Sequence, residues 1–187
     1  MKSLLNNYQN GAAETAVYPG RMGLLAPEPN LTGIYYTAMG LAGESGELLD
    51  KVLFSHWVDE NIMKEMGDVM WYISQCAMEL GCTLSYIYEQ QVAWKIPVDS
   101  QMEVCAFITS KAGAYCDCVK KCLRDNHGCI STKYRTILIA NLAWMLHGIR
   151  EMCSNYNIPI TVILDMNYQK LASRKERGAL GGDGDNR

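Results

Sequence analysis

The segments GLAGESGELLDKVL (Gly40–Leu53) and KEMGDVMWYI (Lys64–Ile73) each carry two acids among Leu, Met, Val and Trp: Glu44 with Glu47, and Glu65 with Asp68. On a helix, positions three apart share one face. If the two helices pack antiparallel through the FSHWVDEN connection, the two pairs converge. Four ionised carboxylates crowded together repel one another, and burying them unpaired is costly. A cation between them removes the conflict. Oxygen donors without Cys or His favour Mg2+, Mn2+ or Ca2+ over zinc. The plainer alternative is that the acids are solvated, or paired with Lys51 and Lys64 at helical spacing. Glycines beside the acids suit close approach of a ligand or a neighbouring helix.

Other metal chemistry fits less well. A dinuclear iron bundle wants Glu-x-x-His at two places, and neither acid pair has His three residues on; His56, His127 and His147 stand apart. The run Cys116, Cys118, Cys122, with His127 and Cys129 beyond, matches no common structural-zinc spacing. The chain has eight cysteines. With no apolar signal core near the N-terminus and a large apolar complement, reduced thiols in a cytoplasmic setting are the expectation.

The elements that must position the acids are helical. Only five prolines occur among 187 residues, leaving Asn30 to Ile96 and Val98 to Ile158 free of the strongest helix breaker. Apolar residues recur at three and four: Leu41, Leu48, Leu49, Val52, then Met66, Val69, Met70, Ile73, then Leu138, Leu142, Met145, Leu146, Ile149. The pattern predicts an all-α helical bundle with helices of about 12–20 residues. A cap at Asn30 or Thr32 opens the first acidic helix. Gly81 stops the second, and Thr83 or Ser85 restarts the chain. Ser100 with Glu103 reads as a capping box after the IPVDSQME linker. DNHGCIST from Asp125 is a loop, NYNIPI separates the last helices, and the GALGGDGDNR tail is flexible on its own.

A repeat organises this series. AGESGELLDKVL (Ala42–Leu53) aligns with AGAYCDCVKKCL (Ala112–Leu123), and MGDVMWYI (Met66–Ile73) with IANLAWML (Ile139–Leu146). We therefore read one all-α domain over 1–187: a first copy at about 31–97 with the acids, a degenerate second copy at about 101–175, and a tail at 176–187. Glu44 falls over Ala114, Glu47 over Asp117, Glu65 over Leu138 and Asp68 over Asn141, so the full acid set exists in the first copy only. Cys118 and Cys122 fall over Leu48 and Val52, as core thiols. Gly43 with Gly113, and Gly67 with Ala140, stay small and would let helices approach closely. Trp71 and Trp144 match, as core residues; base stacking is the sharper alternative for Trp71.

GLAGESGEL followed by KEMGDVMWYI resembles the E-x-x-E … E-x-x-D signature of the MazG-like, all-α NTP pyrophosphatase superfamily, which also includes the dimeric dUTPases. YQNGAAETAVYP (Tyr8–Pro19) is similar to that superfamily's N-terminal lead-in, and NYQKLASRKERGALGGDGDNR (Asn167–Arg187) to the tail of many phage and bacterial members. The resemblance implies Mg2+-dependent hydrolysis of a (d)NTP to monophosphate and pyrophosphate as nucleotide-pool control, with Mn2+ as a substitute. It implies Glu44, Glu47, Glu65 and Asp68 as metal ligands, with Glu47 or Glu44 as general base. Lys51, Lys170 and Arg174 become candidate phosphate contacts and Asn167 a polar substrate contact. The rival readings are a nucleotide-binding regulator that does not hydrolyse, and a structural helical module.

Composition is compatible with this. Hydrophobic residues make up 49% and charged residues 20%, and the net charge of −3 comes with no basic stripe for nucleic acid. No apolar run approaches the roughly 20 residues a bilayer demands. The expected partner is a small-molecule nucleotide, in a homodimer or a pseudo-dimeric monomer.

Overall fold

Apolar residues at helical spacing dictate what the computed structural model shows: seven helices and no strand among the described residues, which are 1–20, 31–54, 60–90 and 100–181. The expected cap at Asn30, residues 55–59 of the FSHWVDEN connection with His56, most of the linker before Ser100, and the GDGDNR tail lie outside them. The helices are α1 (Lys2–Ala13), α2 (Leu31–Phe54), α3 (Glu60–Glu79), α4 (Leu84–Glu89), α5 (Gln101–Asp125), α6 (Thr132–Asn155) and α7 (Ile160–Glu176). Three of them, at 24 or 25 residues, exceed the expected length, and α4 at six falls short of it.

Local chemistry sets the ends. Ser100 and Glu103 form the capping box that opens α5. Thr83 rather than Ser85 caps α4, accepting from the Tyr86 N–H at 3.1 Å. Ser131 caps α6.

The two acid-bearing helices form a pair, α2 with α3, and α5 with α6 form a second. The pairs meet through α2 and α5, which run antiparallel: the Thr109 hydroxyl donates to the Ser45 carbonyl at 2.9 Å, and the Cys116 thiol to the Ala38 carbonyl at 3.0 Å. Leu41, Leu48, Met66, Met70, Ile73, Ile108, Leu138, Leu142 and Met145 are fully buried between these helices. Helix α3 is central, touching α1, α2, α4, α6 and α7.

Both pairs end in the same turn. After α3, the amides of Leu80, Gly81 and Cys82 donate to Cys76, Met78 and Ala77; after α6, those of Tyr156, Asn157 and Ile158 donate to Met152, Ser154 and Cys153. Gly81 and Asn157 take the left-handed conformation at matching places, φ 64° and 55°. The helix that follows then crosses to the other pair: α4 packs on α6, and α7 on α3. Counted back from this turn, Asp68 falls opposite Trp144, about one helical turn from the Asn141 that sequence alignment places there.

The glycines divide in a way the sequence reading did not anticipate. Gly43 and Gly113 are exposed, with open space where a β-carbon would stand, so neither mediates helix approach. Gly67 does, and so does Gly148, where a β-carbon would lie 2.6 Å from Ile108 Cγ1. Alanine at Gly113 gains helix propensity of up to about 1 kcal/mol with no clash. At Gly148 the same gain meets overpacking of roughly 1–3 kcal/mol. Urea denaturation is therefore expected to show Gly113→Ala more stable than the parent and Gly148→Ala less stable.

Candidate functional site

Helix α2 carries Glu44 and Glu47, and α3 carries Glu65 and Asp68, because each pair occupies one face next to the apolar seam that joins the helices. Carboxylate oxygens of Glu44, Glu47 and Glu65 lie within 4.8 Å of one another. Glu65 is buried at 4% exposure, Glu44 is half-buried and Glu47 is exposed, so the group opens to solvent on one side. Burial, then the negative charges of Asp68, Glu47 and Glu65, push the Glu44 carboxyl up to about 8, with Lys170 pulling it the other way. Hard oxygen donors at this separation suit Mg2+ or Mn2+.

Asp68 stands beside this group but outside its tight core. Its Oδ1 accepts from Asn167 Nδ2 at 2.9 Å, and its Oδ2 forms an ion pair with Lys170. Both donors come from α7, which approaches closely at Gly67: a β-carbon there would lie 2.9 Å from that of Asn167. Asn167 is buried and also accepts from the Tyr8 hydroxyl at 2.8 Å. Its carboxamide is thereby engaged with protein groups at both ends. Lys51 is half-buried one turn beyond Glu47 and makes no ion pair among the described residues. Arg174 is buried on α7, one turn beyond Lys170. Lys64 pairs with Glu60 at 2.9 Å.

An aromatic group adjoins the acids. Tyr72 follows Asp68 by one turn, and its ring lies against Gly40, where a β-carbon would come within 2.1 Å of it. Tyr36 is tilted against Tyr72, Tyr18 stacks on Tyr36 at 5.1 Å, and Trp71 meets Tyr72 edge-on at 4.8 Å. The Trp71 indole N–H donates to Thr15 Oγ1 at 3.0 Å and to the Ala12 carbonyl at 3.2 Å, so this tryptophan anchors α1 to α3. Tyr36 is the more exposed ring, at 37%.

The cysteines carry no comparable site. All eight are free, and Cys116 and Cys118 turn to different helices, one toward Ala38 on α2 and the other toward Tyr134 on α6. Sequence reasoning missed α1 as a helix and Tyr8 as a neighbour of the site. The signal was the spacing of Leu5, Tyr8 and Ala12, all buried. No helix among the described residues is long and apolar enough to cross a membrane.

The chain is 33% identical over 94 residues to the "Gene 37 protein" of Mycobacterium phage L5, an alignment covering 46% of this chain and 79% of that protein. No family model matches the chain, and no solved structure does.

The raised Glu44 pKa carries a sign for stability. The folded state holds a proton that the unfolded carboxyl, at 4.5, releases earlier. Between about pH 4.5 and 8 the native state therefore binds more protons, and its stability falls as pH rises. In EDTA, the urea midpoint is expected to drop from pH 5 to pH 8, and Glu44→Gln to flatten this slope.

Proposed function

This chain belongs to the family of the Gene 37 protein of Mycobacterium phage L5, and we propose that it is a divalent-metal-dependent nucleoside triphosphate pyrophosphohydrolase. The observation that carries this reading is the convergence of Glu44, Glu47 and Glu65, one of them buried, next to Asp68 and a lysine. Its second support is the resemblance of GLAGESGEL and KEMGDVMWYI to the MazG-like signature.

In this reading Glu44, Glu47 and Glu65, with Asp68 beside them, would hold Mg2+. The ion, when bound, neutralises phosphate charge and makes water a better nucleophile. Water attacks the α-phosphorus, the bond from that atom to the bridging oxygen breaks, and pyrophosphate leaves. Glu47 or Glu44 takes the proton of the attacking water; Glu44 can do so only in its ionised form, since below about pH 8 burial and the neighbouring acids keep it protonated. Lys170 on α7, paired with Asp68, and Lys51 on α2, one turn beyond Glu47, are the cations this reading assigns to the departing charge. In this reading the aromatic group one turn away, with Tyr36 exposed, offers a surface for the base of the nucleotide.

The test is direct. The purified chain with Mg2+ is incubated with each common (d)NTP and dUTP, and monophosphate and pyrophosphate are quantified. Release is expected from at least one of them. Glu65→Gln and Glu47→Gln should each cost more than the roughly 10–100-fold typical of losing a group that only orients a metal ligand. Absence of pyrophosphate from every nucleotide, with Mg2+ or Mn2+ present, would overturn the proposal.

A further inference from the structure

Tyr8 is on α1, remote in sequence from the four acids of the site, yet only one side chain separates it from Asp68. Its hydroxyl donates to Asn167 Oδ1 at 2.8 Å, and the same carboxamide donates from Nδ2 to Asp68 Oδ1 at 2.9 Å. Tyr8 and Asn167 are 6% and 2% exposed, so water does not compete freely for either bond. Gly67 makes the approach sterically feasible, since any side chain there would strike the Asn167 β-carbon.

A carboxamide has one donor end and one acceptor end. An ionised Asp68 can only accept, so the amide must present its NH2 to Asp68 and its oxygen to Tyr8. The phenol serves as donor only while protonated. Burial, with the Asp68 charge behind it, raises its pKa well above 10 and keeps it so. Lys170 holds the other oxygen of Asp68. Each oxygen keeps a second lone pair for a cation.

From this geometry we infer that Tyr8 is a positioning residue: through Asn167 it fixes the orientation of Asp68 beside Glu44, Glu47 and Glu65. Helix α1 thus belongs to the metal site although it supplies no ligand. The inference rests on the metal-binding reading above. Carboxylate ligands are oriented by such outer partners, whose removal typically costs 10–100-fold in metal affinity. Without the hydroxyl, Asn167 Oδ1 is left buried with no donor. The amide then turns or withdraws to find one, and Asp68 loses its restraint.

The experiment is Mn2+ binding to the full chain, read by electron paramagnetic resonance of the free ion, with melting temperature recorded alongside. Tyr8→Phe, which removes one oxygen, is expected to raise the Mn2+ Kd by about 10-fold or more. Asn167→Leu, close in shape and without donor or acceptor, should lose at least as much, and it stands in if Tyr8→Phe folds poorly. Thr15→Val breaks a different bond that ties the end of α1 to α3, the one between Trp71 and the residue two past the helix, and should lower the melting temperature while leaving Mn2+ affinity unchanged. If the parent binds Mn2+ and both Tyr8→Phe and Asn167→Leu bind it equally well, the relay is refuted and the metal site stands. If Thr15→Val weakens binding as much as Tyr8→Phe, the effect is loosening of α1 and the relay is again refuted. If the parent binds no Mn2+, the metal-binding reading fails and takes this inference with it.

Discussion

Like charges held close together are the constraint on which the arrangement turns. Two ionised carboxylates about 5 Å apart repel by about 3 kcal/mol at an effective dielectric near 20, and Glu44, Glu47 and Glu65 are held within that range. The chain relieves the repulsion in two visible ways. It leaves Glu47 at the surface, where water screens it, and it raises Glu44 so that a proton is retained near neutral pH. Neither would be needed if the acids pointed into solvent. The core behind them supplies the force that holds them together: Leu41 and Leu48 on α2 and Met66, Val69, Met70 and Ile73 on α3 are fully buried.

Close helix approach is used selectively. The Tyr72 ring lies where a side chain at position 40 would be, which seats the aromatic group one turn from both Glu44 and Asp68. Gly67 admits Asn167 in the same manner, and with it the face of α7 that carries Lys170. Helix α1 then closes over α3, α4 and α7. Gln9 accepts from the Leu84 N–H at 2.9 Å and donates to the Cys82 carbonyl at 3.1 Å, and Trp71 reaches the C-terminal turn of α1. The acids are therefore set in a frame made from four separate helices, and no single hairpin would hold them.

Much of this was legible in the residues. Periodicity identified α2, α3 and α6, and the turn residues located Gly81, the capping box at Ser100 and the loop after Asp125, because each of those signals is local. The facing of Glu44, Glu47 and Glu65 was also readable, since it needs only helical spacing and one antiparallel pairing. What escaped depended on contacts between distant segments. Asn167 reads as a polar substrate contact, and its bonds to Tyr8 and Asp68 emerge only when α7 is packed on α3. Gly43 and Gly113 read as packing residues because both copies keep a small residue there, as at Gly67 and Ala140; nothing in the sequence distinguishes a glycine facing a helix from one facing water. Tyr8 could be found as part of a short apolar face, but its partner lies at the other end of the chain.

The second helix pair explains why one group of acids suffices. Ala114, which sequence alignment matches to Glu44, offers no oxygen side chain, and Asn141, which the shared turn sets opposite Glu65, turns back on its own helix, donating to the Ile137 carbonyl at 2.9 Å. Asp117 survives as an acid but is held by Lys120 and Lys121, whose hydrogen bonds bring its carboxyl down to about 2 and leave it ionised and neutralised. Its charge is matched locally, so no added cation is called for. In the first pair Glu44 has Lys170 as its cationic counterweight against three neighbouring acids, and the sum remains negative. Unbalanced negative charge of that kind is what the proposed metal site requires. By that criterion the α5–α6 pair is a scaffold: it supplies the long antiparallel contact with α2 and carries the turn that delivers α7 back to Asp68.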